Sequence, residues 1–281
     1  MSIKNLFFFS VCLFLVGCDF SNKSKEQAEA IIPEAIPKFV EYQIQKIDEE
    51  LGPCVQDSTS KLCLIIKIEY PEITGLVSSE VANKLNENIQ NDILNTSFLS
   101  EQPSTFEILQ KELEEDYSTM LKQFPEYANA WHLEVNSDIL YQDSLFISLA
   151  STIYSYTGGA HPNSAQLYRS YDLRTGEAVG LNNLLVPGFE RELNAAAEIE
   201  FRMDKKIPPG ESLEEEGYWF QNDRFEVNQN FAIINESLIF YFNPYEIAPY
   251  SMGATELELK LTDFVSLIKD GSVIEHYKIR Q

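Results

Sequence analysis

Two short apolar runs, 231–234 and 238–242, dominate the hydrophobic pattern of the segment 230–253. Both runs are rich in β-branched and aromatic residues, which favour extended backbone, so they predict two strands joined by a turn. Pro244 and Pro249 lie in the loop that follows, where they end the sheet and stiffen the backbone. This hairpin and its stiff loop are the best-defined feature of the sequence.

The loop after the hairpin carries Tyr245 and Tyr250 on either side of Glu246. Rigid aromatic side chains on a loop that a strand holds in place are typical of a recognition surface rather than of proton transfer. A tyrosine corner that closes the core is an equally simple interpretation of the same residues. The pattern alone leaves both interpretations open.

Three segments place apolar residues three or four positions apart, which predicts amphipathic helices at 79–94, 104–124 and 189–205. At the start of the second segment, Ser104 is followed three residues later by Glu107. This spacing predicts a capping box, with Ser104 as the first residue of the helix.

Strand patterns fill much of the rest, at 39–47, 62–70, 130–136, 145–156, 164–171 and 254–261. Pro71 is predicted to end the second of these strands. Runs of strands with single helices packed on them, without a regular strand–helix alternation, predict an α+β fold. We expect antiparallel sheets with helices packed on one face, in two modest subdomains.

The predicted boundary between the subdomains lies near Asp143, where the helices of the first half give way to the strands of the second. The full set of predicted segments is a signal peptide at 1–17, a flexible tether at 18–35, α+β subdomains at 36–142 and 143–270, and a polar tail at 271–281.

The start of the chain predicts where the protein works. Lys4 precedes an apolar run, 6–16, that is too short for a stable membrane span and is typical of a signal peptide. The run leads into Gly17 and Cys18, which resembles the bacterial lipobox and implies cleavage before Cys18 and lipidation of that residue. The alternative is an ordinary secretory signal with a chance cysteine. We expect a lipid-anchored lipoprotein of the cell envelope, facing the periplasm or the surface.

Carboxylates greatly outnumber basic groups, and the formal net charge is −23. Loss of Lys4 with the signal would remove one positive charge and make the balance still more acidic. Such an excess argues against nucleic acid or an anionic lipid surface as a binding partner. It favours a cationic partner, or simply keeps the protein soluble.

Two further cysteines, Cys54 and Cys63, lie close together in sequence. In an oxidising compartment this spacing predicts a disulfide that closes a hairpin. A zinc site is the weaker interpretation, because no second cysteine pair or nearby histidine supplies the remaining ligands.

The sequence carries no strong catalytic motif. It lacks Gly-x-Ser-x-Gly, His-Glu-x-x-His and the calcium-loop spacing, so we expect no metal site, no cofactor and no serine hydrolase. Gly158 and Gly159 do not form a phosphate loop, because no Lys-Ser/Thr pair and no helix follow them. His161 precedes Pro162 and has two interpretations: it bonds the loop backbone, or it contacts a ligand.

Three motifs together resemble a known family: 154–162, 171–176 and 245–250. Their order is similar to that of the two-part extracellular module shared by the anti-sigma factor RsiV and the deacetylase PdaC, with a PdaC-like first half and an RsiV-like second half. The resemblance implies an α+β fold and, for RsiV members, binding of lysozyme by loops of the second half. By position, the binding residues here would be Thr157, Gly158, Gly159, His161, Pro162, Tyr245, Glu246, Pro249 and Tyr250.

The chain departs from both relatives, because it shows neither a transmembrane helix with a sigma-binding segment nor a separate deacetylase domain. We therefore expect a non-enzymatic envelope module, held on the membrane through its N-terminal lipid, that recognises a lysozyme-like muramidase or a peptidoglycan fragment. One alternative is a cell-wall glycan hydrolase or deacetylase-like enzyme that uses Glu246 and His161. Another is a structural envelope protein in which the motifs only close the fold.

Overall fold

A five-stranded sheet and a three-stranded sheet organise the computed structural model, which describes residues 39–75, 77–96 and 103–279. The strands there are β1 (Glu41–Leu51), β2 (Leu64–Gly75), β3 (Trp131–Gln142), β4 (Phe146–Tyr156), β5 (Asn163–Asp172), β6 (Phe231–Ile234), β7 (Ser237–Phe242) and β8 (Thr255–Lys260). The α-helices there are α1 (Pro53–Gln56), α2 (Ser79–Leu94), α3 (Phe106–Gln123), α4 (Leu181–Leu184) and α5 (Glu190–Lys205). Short 3-10 helices lie at Pro125–Tyr127, Gln221–Asp223, Tyr250–Met252, Leu261–Leu267 and Glu275–Ile279.

The five-stranded sheet has the order β1-β2-β3-β4-β5, and the three-stranded sheet has the order β6-β7-β8. The predicted α+β class is confirmed. One pair differs from the expected antiparallel arrangement, because β2 and β3 run parallel. The chain between these two strands contains α2 and α3, and such a crossover is what a parallel pair requires.

Each of the two sheets packs against its own helices. Buried residues of α2 and α3 share one hydrophobic core with β2, β3 and β4. A second core joins α5 to the three-stranded sheet. Between the sheets, the Ser148 hydroxyl donates to the Ile233 carbonyl at 2.6 Å, and the Ile233 amide donates to Ser170 Oγ at 2.9 Å. These bonds attach β6 directly to the face of β4 and β5, which fixes the hairpin against the larger sheet.

Two predicted ends of elements are wrong. β2 does not stop at Pro71 but continues to Gly75, paired with β1. Its pairing with β3 ends at Glu69, so beyond that point the amides of β2 no longer donate to β3 and proline is tolerated. The cap of α3 is Thr105, not Ser104, because the Thr105 hydroxyl accepts from the amide of Ile108.

The predicted disulfide between Cys54 and Cys63 is confirmed, and it joins the chain between β1 and β2. Asp143 lies in the turn between β3 and β4, where its carboxylate accepts from the amide of Phe146 at 2.9 Å. β3 and β4, on the two sides of this turn, pair along their length, so the five-stranded sheet runs across the predicted boundary. The predicted polar tail contributes Ile274 and Tyr277 to a core, because isolated apolar residues in a polar stretch give no period to detect.

The predicted signal peptide, the Cys18 anchor and the tether lie outside the described residues. Within the described ranges, the helices are all too short or too polar to cross a membrane.

Candidate functional site

Two asparagines at the base of the β6–β7 hairpin hold it against the outer edge of β5. Asn230 directly precedes β6 and Asn243 directly follows β7. The Asn243 carboxamide accepts from the amide of Gln166 at 2.7 Å and donates to the carbonyl of Gln166 at 3.1 Å. Asn230 accepts from the amide of Tyr168 at 2.6 Å and also donates to the carbonyl of Gln166 at 2.9 Å. These side chains take the place of a neighbouring strand and fix the start of the 243–250 loop.

Glu246 stiffens that loop from within. One of its carboxylate oxygens accepts from the amide of Asn243 at 2.8 Å, and the other accepts from the carboxamide of Asn228 at 2.7 Å. Between these anchors Tyr245 has a φ of 69°, in the left-handed region that few non-glycine residues adopt. The loop therefore presents a tyrosine at a position where glycine or asparagine would be less strained.

The second loop, 157–162, turns at two glycines with φ values of 95° and 111°. A Cβ on Gly158 would lie 3.1 Å from Asn129 Nδ2, so this glycine allows a close approach. The Tyr156 hydroxyl donates to the carbonyl of Gly159 at 3.2 Å. Nδ1 of His161 lies 2.9 Å from the carbonyl of Pro162, a distance that fits an Nδ1–H donor. His161 therefore does bond the loop backbone, as one of its two interpretations predicts.

The two loops meet through a row of three aromatic rings. The rings of His161 and Tyr250 are stacked with centroids 5.7 Å apart, and the rings of Tyr250 and Tyr245 follow at 5.4 Å. Tyr245 is 54% exposed and Tyr250 is 56% exposed, so these side chains do not close a core. We call His161, Tyr245 and Tyr250 the aromatic row. Thr157, Gly159, Pro162 and Glu246 are exposed around it, and Gly158 and Pro249 are half-buried.

The sequence patterns did not identify several exposed residues beside the aromatic row. Met252 follows Tyr250 closely, and its sulfur would lie 3.5 Å from a Cβ on Gly217. Trp219 is 53% exposed, and its amide donates to the carbonyl of Ile247 at 2.8 Å. Shortly before Trp219 lie three exposed glutamates, Glu214, Glu215 and Glu216. A tryptophan in a loop of glutamates has no periodicity, so only its rarity could have drawn attention to it.

The geometry gives Glu246 and His161 little resemblance to an acid–base pair. Both carboxylate oxygens of Glu246 already accept hydrogen bonds from Asn228 and Asn243. The hydrogen bond of His161 goes to its neighbour Pro162, and its ring stacks on a tyrosine. Within the described ranges, histidine, cysteine and carboxylate side chains form no group of three that could hold a metal ion.

A buried tyrosine supports the base of the site. The Tyr168 hydroxyl donates to a carboxylate oxygen of Glu256 at 2.7 Å, and its ring packs against Tyr241. Burial raises the pKa of Tyr168 well above its ordinary value, and the Glu256 carboxylate raises it further. The hydroxyl therefore stays protonated at neutral pH, as a structural donor.

Comparison with protein families places two matches along the chain. Residues 57–164 match the family described as "Deacetylase PdaC", and residues 182–262 match the family described as "Protein of unknown function (DUF3298)". The resemblance to a PdaC- and RsiV-type module is confirmed in this form. The 157–162 loop lies at the end of the first match and the 243–250 loop lies in the second, so the aromatic row is built from both regions.

Solved structures share the fold at low sequence identity. A DUF3298 family member from Bacteroides fragilis aligns with a TM-score of 0.67 and 17% identity, over 87% of this chain and 99% of that chain. A DUF3298 family protein from Pseudomonas aeruginosa aligns with a TM-score of 0.63 and 17% identity, over 83% of this chain and 96% of that chain.

One curated relative has a named activity. A Mycobacterium tuberculosis protein named as an esterase is 30% identical over 122 residues, which are 40% of this chain and 48% of that protein. The chain thus matches about half the length of this relative.

Proposed function

We propose that this chain, which joins a PdaC-type region to a DUF3298-type region, is a cell-envelope binding protein that docks a cationic protein through the aromatic row. The partner class is a lysozyme-like muramidase. Anchoring through the lipid on Cys18 is part of the proposal.

The main support for docking is that two loops far apart in sequence bring three rings together on the surface. The centroid distances of 5.7 Å and 5.4 Å make one continuous strip of His161, Tyr250 and Tyr245. Tyrosine rings supply large, rigid contact area, and binding costs them little conformational entropy. Since the backbone of Tyr245 is held at a φ of 69°, the fold bears strain to present this side chain.

Charge supports a cationic partner. The formal net charge of the chain is −23, and three consecutive exposed glutamates, 214–216, precede Gly217, which lies beside Met252. An acidic surface around an aromatic centre steers a basic protein toward the site and accelerates its association.

Calorimetric titration with hen egg-white lysozyme tests the proposal. We expect binding at about 0.01 M salt that weakens at about 0.15 M salt, because the screening length falls from roughly 30 Å to roughly 8 Å. Absence of binding at the lower salt concentration would rule out the muramidase as the partner. A parallel titration with soluble peptidoglycan fragments that binds more tightly than lysozyme would replace the protein partner with a glycan.

A hydrolase is the second candidate, because of the 30% identity with the named esterase. It predicts turnover of 4-nitrophenyl acetate that Glu246→Gln abolishes. The docking proposal expects no turnover above that of a heat-denatured sample. If the protein is a docking module, Glu246→Gln loosens the 243–250 loop, because this variant weakens the acceptor for the Asn243 amide.

A further inference from the structure

The outer edge of β5 is closed at four successive positions. In an antiparallel strand, the residues that point their N–H and C=O away from the neighbouring strand recur at every second position. On β5 the outward carbonyl of Asp172 accepts from the amide of Gly176 at 2.7 Å, and that of Ser170 accepts from the amide of Val179 at 2.8 Å. The positions at Tyr168 and Gln166 are closed by Asn230 and Asn243.

The next outward position is Ser164, and it is open. Ser164 lies opposite Tyr154 of β4, two residues along from the pair formed by Gln166 and Thr152. Its N–H and C=O therefore point outward, as those of Gln166 do. Within the described part of the chain, neither group has a hydrogen-bond partner on that side. Ser164 is exposed and lies between His161 of the aromatic row and Gln166, which Asn243 holds.

We propose that an extended segment of the protein partner pairs its backbone with Ser164, which makes this residue the polar contact of the docking site. This inference rests on the proposed function and specifies how the partner is held. One residue of an extended chain presents its N–H and C=O on the same side, so it forms two hydrogen bonds with Ser164. The Asn243 carboxamide shows the same pairing with Gln166 two residues away.

The geometry favours peptide over glycan. The acetamido group of an N-acetyl sugar is a trans secondary amide, whose N–H and C=O point in opposite directions. The acetamido group can therefore meet only one of the two Ser164 groups at a time, and a glycan would need a separately placed hydroxyl for the other. A basic extended segment satisfies both groups and also complements the acidic surface beside the aromatic row.

Two substitutions at one position test this. Ser164→Ala removes the hydroxyl and keeps the backbone donor, whereas Ser164→Pro removes both. Proline is tolerated on an edge strand when its nitrogen faces solvent, so the fold is expected to survive, and its melting temperature checks this. We expect Ser164→Ala to bind hen egg-white lysozyme like the parent protein and Ser164→Pro to bind about three- to tenfold more weakly, the effect of one backbone hydrogen bond.

Hydrogen exchange of the Ser164 amide gives a readout that does not depend on a variant. We expect this amide to exchange rapidly in the free protein and to become protected in the lysozyme complex, while the Tyr168 amide is protected in both. A complex that leaves the Ser164 amide unprotected overturns the backbone pairing and leaves the proposed function standing. Failure to form any complex overturns the proposed function, and this inference with it.

Discussion

The two outer edges of the five-stranded sheet are protected in different ways. β1 carries five charged residues, Glu41, Lys46, Asp48, Glu49 and Glu50. β5 carries two, Arg169 and Asp172, and is closed by asparagine side chains and a turn. Charge on an edge strand discourages any incoming strand, whatever its sequence. The asparagine side chains on β5 bond the backbone of Gln166 and Tyr168 and leave that of Ser164 available. β5 is therefore the edge suited to a selected partner.

The largest expected effect concerns the β1 side. Replacing Cys54 and Cys63 together by serine removes the covalent link between the ends of β1 and β2. For a loop this short, we expect the free energy of unfolding to fall by about 2–3 kcal/mol in urea titrations. A change below about 0.5 kcal/mol would show that the sheet holds this edge without the disulfide.

The matching change on the β5 side is Asn230→Leu. It leaves the Tyr168 amide without its acceptor and removes one of the two donors to the Gln166 carbonyl. We expect a loss of about 2 kcal/mol in the same urea titrations, since a buried donor without a partner is costly. An unchanged midpoint would mean that water replaces the asparagine, and the contrast between the edges would lose its basis.

Alkaline pH is expected to weaken the β5 side, where Tyr168 is buried. The pKa of Tyr168 is raised in the folded state, so its stabilising effect is complete below the unfolded value of about 10 and is lost as the pH rises above it. The melting temperature should therefore fall above about pH 10, and less steeply in Tyr168→Phe. Identical slopes for the two proteins between about pH 9 and about pH 11 would contradict this assignment.

The smallest expected effect returns to β1. Lys46 and Glu69 form a surface ion pair at 2.8 Å, with side chains 62% and 43% exposed. We expect Lys46→Ala to change stability by no more than about 0.5 kcal/mol, because exposed pairs are well solvated. A larger loss would show that the charged edge also stabilises the fold rather than only discouraging association.

The sequence predicted elements that carry a local signal. The helix expected at 79–94 is observed as Ser79–Leu94, because a regular apolar stripe and the Ser78 cap specify it. The strands at 231–234 and 238–242 agree to within one residue with β6 and β7. Prolines, tyrosines and glycines also marked the two loops whose rings meet on the surface.

Features set by distant contacts could not be read in this way. The parallel pairing of β2 and β3 depends on where the crossover helices return the chain. The caps made by Asn230 and Asn243 look, in sequence, like ordinary turn residues at the ends of a hairpin. Trp219 has no neighbours at a regular spacing, and only the folded chain places it beside the 243–250 loop, through its bond to Ile247.

The affinity of a double variant for hen egg-white lysozyme tests the central claim most directly. Tyr245→Asn with Tyr250→Ala removes two rings and keeps a residue that tolerates a positive φ at position 245. We expect a loss of about 30-fold or more, as for aromatic residues at an interface centre, with an unchanged fold. Tyr42→Ala, at a 39% exposed tyrosine on β1, is the control and should bind like the parent protein. Equal affinities for the parent, the double variant and the control would contradict a docking role for the aromatic row.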